Sequence, residues 1–404
     1  MTARHDVPRL HALDGLRAAM MLLGLVLHSA TSYTATPLGD AWPYQDGSTS
    51  TAFDFVVFII HLFRMPAFFV MAGFFAALLY YRSGPADLFV HRVKRVLVPL
   101  ALAWVVVFPL VRLGFGYAVS RGGSTGGATV SAAASSGLYA EPSLVHLWFL
   151  YDLFIFYLVA LAAMPLVERL PLLIRDGAVR AFAAIVPRWW APVALSAVSA
   201  ITLLPMAKPA LETSVSFAPP IRVLVAYLVF FGFGWLLFNC RELVPSFARR
   251  AWLQTVAGLV VSLAYMAAVL SPRVQSREGF LVACVLAAVA MWLLIYASIG
   301  LFVRYFDAHR PVQRYVADGA YWIYLVHLPL AIAVPGLLSP LGWPAAAKFA
   351  VTLAATTGVT VVTYHYLVRS TAIGVLLNGR RYPRALPSPD QPAVAAATGA
   401  AGPA

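Results

Sequence analysis

The sequence predicts an all-α integral membrane protein, a bundle of about ten transmembrane helices with both termini cytoplasmic. Three observations carry that prediction. Of 404 residues, 61% are hydrophobic and only 11% charged, more apolar surface than a water-soluble domain of this size needs. The apolar residues come in runs of about 20, the length that spans the hydrocarbon core as a helix, and the alternation of barrel strands is missing. The Lys and Arg residues between the runs are lopsided: with the N-terminus inside, twenty fall inside and six outside. That bias orients helices in a bilayer. It also makes the net charge of +13 a matter of topology, so the expected partner is a lipid bilayer and not nucleic acid.

The runs lie near 13–33, 53–80, 93–117, 143–166, 190–206, 218–239, 252–270, 279–303, 318–338 and 345–369. The first has a basic lead, but its apolar part is long and no small-x-small cleavage site follows, which makes it a retained span. Pro66 and Gly73 in the second permit a kink or a close helix approach. The third opens on "HRVKRVLVP" and the fourth on "HLWFLYDLFIFY". The fifth is short and bracketed by prolines, which leaves its ends open. Cys240 and Cys284 each fall in a helix and imply neither a disulfide framework nor a thiol metal site. The ninth run contains "YWIYLVHLPL". Residues 1–382 form one membrane domain, and 383–404 is a Pro/Ala-rich tail with the composition of a disordered segment. The outer loop near 118–142, with "SRGGSTGGATVSAAASSG", has that of a flexible linker. No internal repeat of the transporter kind is visible.

Ionisable groups within spans are expensive and usually face the bundle interior or a wet cavity. Asp14, Arg17 and His28 share the first run. Arg17 and His28 are eleven residues apart, which returns to nearly the same helix face about 16 Å along the axis. A snorkelling arginine and a packing histidine would account for them equally well. In the second run His61 and Arg64 are three apart, on one face, with Arg64 too deep to snorkel easily. Arg92 and Arg95, with Lys94 between, stand at the inner mouth of the third run, as ordinary inside anchors or as a clamp for phosphates. In the fourth, Trp148 and Tyr151 fit the interfacial aromatic belt, whereas His146 and the intramembrane Asp152 ask for more. Tyr321, Tyr324 and His327 follow one side of the ninth, with His327 near the midplane, placed for proton transfer or for a buried Tyr–His bond. There is no GxxxxGK[ST] loop and no HExxH helix. Four histidines on four spans (His28, His61, His146, His327) make haem or metal ligation conceivable, but no spacing selects it. No bound cofactor and no metal are expected.

Together these pieces resemble the membrane acyltransferase-3 superfamily. The shared features are "LDGLRAAMMLLGLVLH" with its Arg-x10-His, "FRMPAFFVMAGFF", Arg92-x-x-Arg95, "HLWFL" and "YWIYLVH", in that order over roughly residues 9–370. Within it, "HLFRMPAFFVMAGFFAALL" with "HLWFLYDL" looks most like the branch of periplasmic glucan succinyltransferases. The resemblance implies transfer of a short acyl group, succinyl or acetyl, from cytoplasmic acyl-CoA to a hydroxyl of an extracytoplasmic glycan, in a bacterial cytoplasmic membrane. It makes the first-span Arg-x10-His, Arg17 and His28, necessary for activity and assigns the Arg92/Arg95 pair to the donor. Two departures stand out: a serine common before the glycine of "FFxxSG" is Ala72 here, and no fused extracytoplasmic esterase-like domain follows the tenth run.

On this reading His28 is the general base, Asp14 and Arg17 orient groups along its stripe, and His327 is a second proton-transfer group, an oxyanion donor through Tyr324, or structural. Arg92, Lys94 and Arg95 meet the phosphates, while His61, Arg64, His146, Trp148 and Tyr324 belong to the substrate path. Arg64 would suit the free carboxylate of a dicarboxylic acyl group. A covalent acyl-enzyme stays open, although no nucleophile with an adjacent base stands out in a span. A polytopic exporter of an acidic or glycan-derived solute, using Arg64, His28 and His327 as its pathway, is the competing reading.

Overall fold

Among the described residues every regular element is a helix. The computed structural model describes residues 11–122, 139, 141–308 and 310–383. Most of the Gly/Ser/Ala loop and the tail from 384 onward therefore lie outside the described residues. The helices are α1 His11–Thr31, α2 Thr51–Ser83, α3 Pro85–Arg92, α4 Val98–Ser120, α5 Trp148–Glu168, α6 Leu172–Ile185 and α7 Ala191–Leu203. They continue with α8 Ile221–Asn239, α9 Ala251–Leu270, α10 Arg277–Tyr305, α11 Pro311–Leu338, α12 Ala345–Thr363 and α13 Ala372–Asn378. A π-helical turn, Val93–Leu97, joins α3 to α4, and another, Tyr364–Val368, prolongs α12.

Local chemistry sets several boundaries. The Ser50 and Ser276 hydroxyls accept from the amides of Ala52 and Gly279 and so cap α2 and α10. Gly84, at φ 89°, makes the sharp turn into α3, whose first residue is Pro85. Pro66 sits inside α2 and Pro329 and Pro335 inside α11.

Nine helical stretches among the described residues are long and apolar enough to cross a membrane. The fifth expected span appears as α7, at 13 residues shorter than these. Its ends nevertheless lie on opposite sides of the bundle. Beyond it, the Val215 carbonyl accepts from the Leu144 amide and the Phe217 carbonyl from Tyr151, beside the start of α5. Before it, the carbonyls of Val186 and Pro187 accept from Tyr296 and Arg250 at the other side. Counting α7 with the nine longer stretches, the described residues cross the bundle ten times. His11 and Asn378 line the same cavity, so the two ends of the described membrane domain share a face.

α1 runs through the centre, against α2, α10, α11 and α12. α2 and α8 cross closely enough that a Cβ on Gly73 would strike the Phe231 carbonyl and one on Gly234 the Val70 carbonyl. Small residues at a crossing let backbones approach where lipid supplies no hydrophobic drive. On the outer side, residues 32–50 fold back over the bundle. Asp46 forms a 2.7 Å ion pair with Lys348 of α12, both fully buried, and Tyr33 bonds Thr352 at 2.8 Å. Lys348, counted by sequence among the outside charges, is therefore an interior group.

Candidate active site

At the face shared by His11 and Asn378, the bundle opens into a cavity of about 340 Å³ between α1, α2, the α3–α4 joint, α5, α11 and α13. Its mouth is basic: Arg17, Arg92, Arg95, Arg310 and Arg314 line it, against Asp14 and Asp318. Asp14 pairs with Arg17 at 3.4 Å and Asp318 with Arg314 at 3.1 Å. Arg92, Arg95 and Arg310 have no acidic partner among the described residues. Arg92 lies 4.4 Å over the Tyr157 ring and donates to the Phe75 carbonyl at 3.4 Å, while its buried Nε makes no hydrogen bond. Arg95 donates to the Leu377 carbonyl at 3.2 Å, and its own carbonyl accepts from the Tyr321 hydroxyl at 3.0 Å. Three excess guanidinium groups at a concave mouth suit a ligand carrying several phosphate charges. Deeper, the walls turn apolar with Met21, Phe68, Ala72 and Phe149, and the cavity ends there. Phe68 and Phe149 meet edge to face at 4.3 Å, and Phe149 approaches Tyr324 at 6.3 Å, a ring barrier below the next group.

Beyond the barrier three histidines converge. His28 Nδ1 and His327 Nε2 are 2.8 Å apart. Their rings lie within 8° of one plane with centroids 5.1 Å apart, an edge-to-edge hydrogen bond and not a stack. His327, 0% exposed, has its Nδ1 at 2.8 Å from the Tyr324 carbonyl and 3.1 Å from that of Ile323. His146 donates from Nε2 to the carbonyls of Tyr324 (3.0 Å) and Leu325 (3.3 Å), and Tyr324 returns its hydroxyl to the His146 carbonyl at 2.7 Å. Pro329 explains why the Leu325 carbonyl is available: it lacks the N–H that would bond four residues back. Trp42 from the folded-back segment lies over His28, with centroids 5.9 Å apart and planes 16° apart, and is fixed by donating to Ser32 at 3.0 Å. Arg64, 8% exposed, packs where a Cβ on Gly24 would be, within electrostatic reach of His28, His146, His327 and Tyr324. It has no acidic partner among the described residues, and its Nε makes no hydrogen bond.

The geometry is a basic, concave mouth at one face and an imidazole pair, His327 buried and His28 partly so, further along the same helices. The profile of an acyltransferase domain, acyltransferase-3, matches residues 10–365. The chain belongs to the acyltransferase-3 family. Among curated relatives, Glucans biosynthesis protein C of Salmonella typhi is 25% identical over 346 residues, covering 82% of this chain and 85% of that one. The protein of the same name from Salmonella schwarzengrund is 24% identical over 386 residues, covering 92% and 95%. No solved structure matches the chain. The protein is thus a multi-pass membrane acyltransferase.

In this acyltransferase several residues named from sequence come together. His28, His146, Tyr324 and His327 form one cluster with Arg64 beside it, while Asp14, Arg17, Arg92 and Arg95 line the cavity. Others do not join them. Lys94 is exposed and outside the cavity, because a residue between two that are three apart on a helix points away from the face they share. His61 is exposed while Arg64 is buried: three residues differ by 60° around a helix, and the edge of the core falls between them. Trp148 is not an interfacial belt residue but a buried one, 5.5 Å from Tyr227. Asp152 is 0% exposed with neither oxygen bonded. Ala72, where the resemblance led one to expect a serine, lines the apolar part of the cavity. Among the described residues no group of three His, Cys, Asp or Glu is placed to hold a metal ion. Trp42, Arg310, Arg314 and Lys348 were missed, since a tryptophan in a polar loop and a single lysine at a helix start carry no pattern of their own.

Proposed function

We propose that this acyltransferase takes a short acyl group from acyl-CoA at the cytoplasmic face and delivers it to a hydroxyl of an extracytoplasmic glycan in a bacterial cytoplasmic membrane, with His28 as general base. One observation carries the reading. The mouth, with three arginines that have no acidic partner among the described residues, lies at one end of α1, and His28, whose Nε2 makes no hydrogen bond there, lies toward the other. From Arg17 to His28 the helix measures about 16 Å, the span asked of a pantetheine arm. The excess of Lys and Arg on the mouth side supports calling it cytoplasmic.

A thioester is already activated, so the protein has to position it and move one proton. The acceptor hydroxyl gives its proton to His28 Nε2 as its oxygen attacks the thioester carbonyl. The C–S bond then breaks, and the leaving thiolate takes the proton back. A positioned base contributes about 10²–10⁴ in rate, and holding both reactants in line supplies more. The Phe68–Phe149 contact must open for the donor arm to pass.

Arg64 supports a dicarboxylic acyl group such as succinyl, since a buried cation without a counter-ion is costly until an anion meets it. The name of the relatives supports a glucan as acceptor. The test is turnover of acetyl-CoA and succinyl-CoA by the purified protein with a linear glucan. Label should appear on the glucan faster from succinyl-CoA, and Arg64→Gln should reduce that preference at least tenfold. Absence of thioester loss with either donor, together with no saturable CoA binding, would sink the acyl-CoA reading.

A further inference from the structure

The carbonyl oxygens of Tyr324 and Ile323 only accept, so the His327 Nδ1 that faces both must carry the proton. With that ring neutral, its Nε2 has a lone pair and no hydrogen. The 2.8 Å contact then requires His28 to donate from Nδ1, which leaves the proton off His28 Nε2. We infer that His327 is a positioning residue that fixes His28 in its Nδ1–H tautomer, with the Tyr324 carbonyl as anchor. This rests on the acyl-transfer reading in which His28 is the base.

The anchor is built by two elements, α11 and the turn before α5. The Tyr324 carbonyl takes N–H groups from both His327 and His146, and the Tyr324 hydroxyl braces the turn before α5 through the His146 carbonyl. Each of these bonds is buried, and each fixes a ring direction. Trp42, nearly parallel to His28, limits rotation of the ring on another side. The consequence for the reaction is specific. A histidine side chain free in water prefers its proton on Nε2, and a His28 in that form would present a donor where the acceptor hydroxyl needs a base. When Nε2 takes the proton, the resulting cation keeps its Nδ1–H···Nε2 bond to His327. The arrangement has the logic of a nucleophile–base–orienter triad, with a neutral imidazole backed by a carbonyl as the orienter.

The test compares His327→Leu, which removes the acceptor, with His327→Gln, whose amide oxygen can replace it. Turnover number and donor KM are measured for each, and 15N shifts of His28 are recorded in histidine-labelled protein. Expected are a wild-type His28 protonated at Nδ1, a 10²–10⁴-fold fall in kcat at unchanged donor KM in His327→Leu, and partial recovery in His327→Gln. A wild-type His28 protonated at Nε2, or a His327→Leu protein within threefold of wild-type kcat, overturns the assignment. The wild-type spectrum decides even if a variant fails to fold. Should the wild type transfer no acyl group while His28 still shows the Nδ1–H form, the acyl-transfer reading fails and the positioning stands.

Discussion

Arg92 and Arg64 both lack an acidic partner among the described residues, yet their surroundings give them different work. Arg92 lies at the cavity mouth over Tyr157, next to Arg95, and its buried Nε is unspent. A charge-assisted bond to a phosphate is worth about 1.5–3 kcal/mol, which is roughly 10–100-fold in affinity. Arg92→Ala should therefore raise the donor KM by that factor with kcat within a few-fold. Arg92→Lys should recover only part of it, because the planar fork is lost. An Arg92→Ala protein with unchanged donor KM would remove the residue from the donor site. Much of this was legible in the sequence, since a three- or eleven-residue spacing fixes a helix face. Helix periodicity does not reveal where the core ends around a helix, which is why His61 and Lys94 fell outside and Arg64 inside.

Among the elements, α1 and the α11 stretch with Pro329 do most to assemble the site, and residues 32–50 close it from the outer side. That segment is irregular, so its position depends on what it touches, above all the buried Asp46–Lys348 pair. Removing one partner of a buried pair costs about 3–5 kcal/mol because the other charge is stranded. Lys348→Met should accordingly lower the thermal midpoint in detergent by several degrees, and Lys348→Met with Asp46→Leu should regain most of it. A double variant as unstable as the single one would mean that shape, and not charge, holds the segment. No periodicity marks such a contact, which joins residues 302 positions apart. Lys348 was illegible for that reason.

For the molecule as a whole, hydropathy was enough to read a helical bundle of about ten crossings, nine of them long apolar stretches among the described residues and one the short α7, whose flanking contacts lie on opposite sides. It was enough because lipid forces every backbone group into intrasegment bonds, so span length carries most of the architecture. The order of Arg17 before His28 along α1, and of Tyr321 and Tyr324 before His327 along α11, was readable too. The aromatic barrier between cavity and histidines was not, because it is made of side chains from two helices distant in sequence.

The proposed reaction carries an acyl group from one face to the other, and sidedness is the measurement that bears on it most directly. Proteoliposomes would enclose a linear glucan and receive labelled acyl-CoA only on the outside. The wild type should place label on the enclosed glucan, and His28→Ala should bind the donor without doing so. Label confined to glucan added on the same side as the donor would contradict a site reached from both faces.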